Sequence, residues 1–313
     1  MKAWLFTGAG EPLTLVDREV PEPEENQVVV DVKAAGLCHS DVGFMHGEID
    51  WMLAHTPIVL GHEVAGIITA LGPGVANYSV GDRVGIAGLG LDAPGLVADG
   101  GFGKKVIGKV EQLVRIPEGV SYAQAAAGTD AGQTSRHALR VGGVKDGSRV
   151  GIIGLGGLGL TGARISVLLG AEVYAAEINE DVWPLALERG IKKCVRDVED
   201  FADFELDIII DFAGFGTTTA GAIRAITPGG RVVQVGLGRA EALIPTDLLV
   251  TKQVQLFGSL GGSMPDAEDV YRLMGTGELE LLVTPITFEE IPDGLRRLEE
   301  GGVRGRLIAV YGE

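Results

Sequence analysis

Apolar residues along this chain fall into two rhythms. Up to about residue 35 they come in short bursts broken by turns: Lys2–Phe6, Leu13–Val16, a Pro/Glu-rich turn at Pro21–Glu25, then Gln27–Ala35 with its Val-Val-Val-Asp-Val run. Closely spaced strands of this kind predict a compact, mainly β, barrel-like domain. From residue 150 the rhythm changes. Short, mainly apolar bursts at Val150–Ile153, Val173–Ala176, Lys193–Val195, Ile208–Ile210, Val232–Val235 and Gln255–Phe257 alternate with helical stretches. Six short buried strands separated by helices predict a doubly wound parallel sheet with right-handed crossovers. After Gly261 the pattern reads helix Asp266–Met274, strand Val283–Phe288, helix Ile291–Glu300 and a last strand, Leu307–Tyr311.

The first strand of the alternating region runs into Gly154-Leu155-Gly156-Gly157-Leu158-Gly159. Gly154 suits a tight turn, Gly156 lets backbone approach a pyrophosphate, and Gly159 allows close helix–strand packing, while the helix that starts there aims free N–H groups at phosphate. Glu177 ends the next strand, where an acid can accept hydrogen bonds from an adenosine ribose. The stretch Glu177-Ile-Asn179-Glu180-Asp181 is anionic and repels a 2′-phosphate, so NAD is expected rather than NADP. Val235-Gly236-Leu-Gly238, after the fifth strand, is expected to approach the cofactor from across the switch point. Arg231 reads as a surface residue.

Composition narrows the partners. With 313 residues, two domains are expected. A formal net charge of −17 repels nucleic acid and anionic membrane. No apolar run reaches membrane-spanning length, and the two cysteines, Cys38 and Cys194, form no disulfide framework, so a reducing, cytoplasmic setting is expected.

Chemistry concentrates in two further segments, Gly36-Leu-Cys38-His39-Ser40-Asp41 and Gly61-His62-Glu63. Thiolate and imidazole are zinc ligands, and catalytic zinc sites gather them from separate loops. Singly, each residue also fits a buried cysteine or a turn histidine. Together with Gly-His-Glu-Val-Ala-Gly, Gly81-Asp-Arg-Val84 and the glycine-rich turn, in that order, they resemble the zinc-dependent medium-chain alcohol dehydrogenase family over essentially the whole chain. The resemblance implies an α/β protein with a Rossmann sheet, residues 132–260, and a mainly β, GroES-like catalytic domain, residues 1–131 and 261–313. It implies zinc bound by Cys38 and His62, with Ser40 on the alcohol oxygen, Asp41 orienting His62, Glu63 approaching the metal transiently and His39 near the pyrophosphate. Where relatives often carry a third, cysteine ligand this chain has Asp130, in Thr129-Asp130-Ala-Gly-Gln-Thr134; carboxylate also ligates zinc, and the alternative is a helix cap.

That Cys/His/Asp pattern resembles bacterial secondary-alcohol dehydrogenases. No cysteine lies in Gly85–Asp99, which excludes a structural tetrathiolate zinc and leaves one catalytic zinc per chain. Gly43 stands where some relatives place a histidine that ends a proton relay, so water, the cofactor ribose or His46 must end it. Trp51 and Leu89 fall in regions that line relatives' substrate pockets, in a cleft between domains. The expected activity is zinc-dependent hydride transfer between an alcohol or ketone and NAD, in a homodimer or homotetramer. A zinc-free quinone or enone reductase, and a non-catalytic NAD-binding sensor, are the alternatives.

Overall fold

The computed structural model describes residues 1–312. In chain order the strands are β1 (Lys2–Phe6), β2 (Thr14–Asp17), β3 (Gln27–Leu37), β4 (Ile58–Val59), β5 (Glu63–Leu71), β6 (Arg83–Ile86), β7 (Lys105–Lys109) and β8 (Leu113–Arg115). The later strands are β9 (Arg149–Ile153), β10 (Glu172–Ala176), β11 (Lys193–Val195), β12 (Ile208–Asp211), β13 (Arg231–Gln234), β14 (Gln255–Gly258), β15 (Val283–Thr287) and β16 (Arg306–Val310). The helices are α1 (His39–His46), α2 (Tyr122–Ala127), α3 (Gln133–Gly142), α4 (Gly157–Leu168), α5 (Trp183–Glu188), α6 (Thr217–Ala225), α7 (Thr246–Thr251), α8 (Met264–Gly275) and α9 (Ile291–Glu299). The chain forms two compact units, Met1–Gln133 with the segment from Gly261 on, and Thr134–Leu260. No described helix is long and apolar enough to cross a membrane.

In the first unit the long strand β3 organises a seven-stranded sheet in the order β15-β16-β3-β5-β6-β8, with β7 also paired to β3. Val28, Val30 and Val32 of β3 are buried with Phe6, Phe44, Ile68, Ile86 and Phe102 in one core. Every hydrogen-bonded step from β16 to β8 is antiparallel, so neighbouring strands bring residues far apart in sequence together: Leu307 lies beside Leu37, and Glu63 beside Gly36. Those two registers place the end of the chain and the start of β5 next to the segment that carries Cys38.

The second unit is a six-stranded parallel sheet in the order β11-β10-β9-β12-β13-β14. Strand order reverses at β9, which is flanked by β10 and β12, and ligands of open α/β sheets bind beyond the strand carboxyl ends at such a point. Its core is built on Ile153, Phe201, Phe204, Leu206, Ile209, Ile223 and Val232. The inner strands β9, β10, β12 and β13 are covered on both faces and need apolar residues nearly throughout, which is why they stand out in the sequence, whereas the edge strand β14 is largely exposed. Arg231, read as a surface residue, is half-buried: it donates to Gly142 O at 3.2 Å and lies 5.9 Å from the Phe257 ring centre.

Two helices, α1 and α2, do not stand out in the hydrophobic pattern. α2 begins at Tyr122, and a single π-helical turn, Gly128–Gly132, joins it to α3. The cue was present in Ser121, which caps α2 by accepting from Gln124 N at 3.2 Å, ahead of an alanine run that favours helix.

Candidate metal centre and nucleotide loop

Cys38 directly follows β3 and is the N-cap residue of α1. Asp41, three residues on, accepts the Cys38 N–H at 2.9 Å, so the start of the helix fixes both residues. Asp41 is fully buried, with its second oxygen 3.5 Å from His62 Nδ1. His62 follows Gly61, whose φ of +95° and whose contact with the Phe102 ring leave no room for a side chain. Glu63 opens β5 opposite Gly36, where a β-carbon on Gly36 would lie 1.9 Å from the Glu63 carboxylate. Gly36 is therefore the space in which that carboxylate sits. Asp130 comes from the π turn, not from a helix N-cap.

These elements bring one donor atom each of Cys38, His62, Glu63 and Asp130 within 4.8 Å of one another. Asp130 Oδ2 lies 3.7 Å from Cys38 Sγ and 3.8 Å from His62 Nε2, and Ser40 Oγ lies 3.6 Å from Cys38 Sγ. Metal–ligand bonds of 2.0 to 2.3 Å at tetrahedral angles put neighbouring donors about 3.5 Å apart. The spacing fits.

The electrostatics point the same way. Arg306, buried at the start of β16, places Nη2 at 3.2 Å from Asp130 and Nε at 3.1 Å from Glu63, while Nη1 donates to Leu37 O at 3.4 Å. The contact to Glu63 is an ion pair without hydrogen-bond alignment, since Arg306 Nε and both Glu63 oxygens lack hydrogen-bond partners, as do His62 Nδ1 and Asp41 Oδ1. Buried polar atoms left this way are costly in a finished interior. Burial raises the Glu63 carboxyl well above its usual range, against the Arg306 charge and with help from Asp130 and Cys38. Burial opposes charge on His62, but Asp41 and Cys38 hold its imidazole well above the ordinary range. Burial likewise opposes ionisation of Cys38, yet Arg306 and His62 leave its thiol below the usual value. A site in which Glu63 and His62 hold protons more tightly while Cys38 releases its own more readily concentrates negative charge that a divalent cation suits.

Not every residue singled out in the sequence joins this cluster. His39 is exposed, its imidazole held below the usual range by partial desolvation and then by Arg306. His46 is half-exposed and pairs with Glu299 at 2.9 Å. Trp51 stands 70% exposed on a surface turn, and Leu89 is half-buried and bridged to Asp92 and Gly262. The interval without cysteines leaves β6 as a loop whose Asp92 is clasped on both oxygens by Lys109 of β7 at 2.7 Å. Arg306 is the site residue that sequence reasoning missed.

In the second unit, Gly154 adopts φ +82° and packs against Ala213, while a β-carbon on Gly159 would meet Gly154 O at 1.7 Å. At Gly156 the same addition meets nothing within 4 Å. Gly156 is also the N-cap of α4 with no side-chain cap, so the first helical N–H groups stay open beside free space. Gly157 and Leu158 form the first turn of that helix, and Ser135 donates to Leu158 O at 2.8 Å. Glu177 accepts Leu155 N at 2.6 Å and Asn179 N at 2.8 Å, closing the loop from β10. Val235 and Gly236 both donate backbone N–H groups to Asp211 O at 3.0 Å, which holds the turn after β13 to the end of β12.

Comparison with known proteins bears directly on this pair of sites. An alcohol dehydrogenase GroES-like domain matches residues 24–118, and a zinc-binding dehydrogenase domain matches residues 157–276. An alcohol dehydrogenase of Geobacillus stearothermophilus is 30% identical, with 98% of this chain and 99% of that protein covered. The chain belongs to the zinc-binding alcohol dehydrogenase family. Among solved structures, acetophenone reductase from Geotrichum candidum in complex with NAD superposes with a TM-score of 0.91 at 29% identity, covering 99% of this chain and 96% of that one. The alcohol dehydrogenase of the archaeon Aeropyrum pernix gives 0.91 at 27% identity, covering 99% and 100%. The family is thus one of oxidoreductases acting on alcohols and carbonyls, and membership agrees with the donor cluster and the open glycine loop.

Proposed function

We propose that this chain transfers a hydride between a secondary alcohol, or the corresponding ketone, and NAD, with zinc held by Cys38, His62 and Asp130. The observation that carries the reading is the convergence of three zinc-type donors, with Asp130 3.7 Å from Cys38 and 3.8 Å from His62. Zinc bound there supplies Lewis-acid polarisation of a substrate oxygen. The chain's own residues do the rest. Ser40 accepts a hydrogen bond from the substrate hydroxyl, Asp41 fixes the orientation of His62, and Glu63 with Arg306 balances charge around the metal. The loop Gly154–Gly159 and the N-terminus of α4 receive the pyrophosphate, Glu177 and Asn179 the adenosine ribose, and the turn at Val235 and Gly236 the nicotinamide end. In this reading His39 is assigned to the pyrophosphate, and Trp51 and Leu89 to the substrate pocket. The first unit is then catalytic and the second binds nucleotide.

Secondary alcohols are favoured because acetophenone reductase, similar over almost its whole length, is named for a ketone. A homodimer is favoured by β14, an edge strand whose Leu256 is exposed, next to exposed Val250 and Leu260. Two buried, unpaired cysteines suit the cytoplasm. The test is elemental analysis of protein purified without chelator, followed by NAD reduction over a panel of alcohols. One zinc per chain is expected, with metal and turnover both lost in Cys38→Ser. Normal turnover by that variant would remove the zinc assignment.

A further inference from the structure

We infer that Tyr271 is a positioning residue for the metal centre: with Thr129, it holds the π turn that presents Asp130 to Cys38 and His62. The inference rests on the reading of Asp130 as a ligand. π turns inside α-helices are uncommon and collect at functional sites, since one extra residue rotates the succeeding residues by about 100° relative to an α-helix. Here the turn spans Gly128–Gly132, with Asp130 at its middle. Its preference must be enforced, because the same residues could continue α2 directly into α3.

The structure shows what enforces it. Just before the turn, two consecutive carbonyls each take a hydroxyl: Tyr271 Oη donates to Ala125 O at 2.9 Å and Thr129 Oγ1 donates to Ala126 O at 2.8 Å. Tyr271 comes from α8, 146 residues away in sequence, and its side chain is fully buried. The packing is tight enough to exclude β-carbons on three sides. One added at Gly85 would lie 1.8 Å from Tyr271 Oη, one at Gly128 would lie 2.9 Å from its ring, and one at Gly132 would lie 2.7 Å from Val270 of the same helix. Burial pushes the phenol far above its ordinary range, so it remains a donor at any working pH. The Tyr271 hydroxyl therefore makes one polar contact just before the helix changes register, at Ala125, five residues ahead of the carboxylate that faces Cys38, His62 and Arg306.

The experiment measures zinc affinity by chelator competition, and the visible spectrum of the cobalt-loaded protein, for wild type, Tyr271→Phe, Thr129→Val, Thr129→Ser and Asp130→Ala. Tyr311→Phe serves as the control, since it also removes a buried hydroxyl, one that donates to Gly101 O away from the turn. Tyr271→Phe and Thr129→Val are expected to hold zinc about tenfold more weakly and to shift the cobalt bands, as outer partners of metal ligands do. Thr129→Ser should keep wild-type values, and Tyr311→Phe should lower stability without either change. Wild-type affinity and spectrum in both Tyr271→Phe and Thr129→Val overturn the inference, as does an equal loss in Tyr311→Phe, which marks a general softening of the fold. If Tyr271→Phe fails to fold, Thr129→Val decides alone. Undiminished zinc binding by Asp130→Ala removes the ligand reading itself, an outcome distinct from failure of the positioning role.

Discussion

Two buried carboxylates, one in each unit, are treated in opposite ways. Asp211, at the end of β12, is wholly surrounded by donors: Ala213 N at 3.0 Å and Gly214 N at 2.8 Å on one oxygen, Thr218 and Thr219 hydroxyls at 2.7 and 2.9 Å on the other. Glu63 is equally buried and has none of these, only the unaligned guanidinium of Arg306. A carboxylate that receives four hydrogen bonds is closed and holds loops together. One that stays donor-poor, beside a thiol, an imidazole and another carboxylate, is waiting for a cation. The contrast separates architecture from chemistry more sharply than burial does, since both are fully buried.

The comparison is tested most severely at Arg306. Its guanidinium is buried and faces both Glu63 and Asp130, so Arg306→Leu leaves two carboxylates without their cation. Breaking a buried charge pair from one side costs about 3–5 kcal/mol, and a fall of that size in the unfolding free energy of chelated protein is expected from urea titration. Zinc should restore part of it, by mass action on the folded state. A loss unaffected by zinc would show that Arg306 serves the fold and not the cluster.

At Asp211 the expectation reverses. Asp211→Ala strands two backbone N–H groups and two hydroxyls, and is expected to cost about 3 kcal/mol, whereas Asp211→Asn, which keeps an acceptor for the backbone groups, costs about 1 kcal/mol. Neither should change zinc content, measured on the same samples. Altered zinc in either variant would erase the distinction between the two carboxylates.

How much of the molecule was legible in the sequence depends on the range of the interactions. The six strands of the second unit declare themselves because each is a local apolar burst, and the loop Gly154–Gly159 because its chemistry is contained in six consecutive residues. Cys38, His62 and Asp130 could be singled out only as separate fragments joined by a family resemblance. The four donors meet because β3, β5 and the π turn are packed together, a fact no local window contains. Arg306 lay hidden for the same reason. It opens an apolar strand, Arg-Leu-Ile-Ala-Val, like an ordinary boundary charge, and its partner Glu63 becomes a neighbour only through the β16–β3–β5 register. The π turn left no trace beyond its glycines, because its cause, Tyr271, sits on another helix.

Glu177 can break the rule drawn from Asp211. Its carboxylate already accepts two backbone N–H groups, from Leu155 and Asn179, yet it is half-buried at the mouth of the glycine loop and is assigned to the cofactor ribose. If partial satisfaction still leaves acceptor capacity for a ligand, Glu177→Ala raises the KM for NAD about tenfold, the worth of one hydrogen bond to a charged group, with kcat changed less than about twofold. An unchanged KM would place Glu177 with Asp211 as a loop fastener.

The smallest effect is expected at the two cysteines, and it leaves stability untouched. Both are buried, but Cys38 sits near Arg306 and His62, which hold its thiol below the usual range against the cost of burial. Cys194, in the sheet beside Ala175, is pushed up to about 11 by burial and then by Glu177. At pH 8 a thiol of that kind is about 0.1% ionised, and only the thiolate reacts with an alkylating agent. In chelated, folded protein, iodoacetamide should therefore label Cys38 well ahead of Cys194, read by peptide mass spectrometry. Zinc should suppress labelling at Cys38 and leave Cys194 as it was, because a metal-held thiolate has its lone pair engaged. Equal labelling of both, or labelling at Cys38 indifferent to zinc, would mean that the electrostatic difference between the units does not reach the reactivity of their thiols.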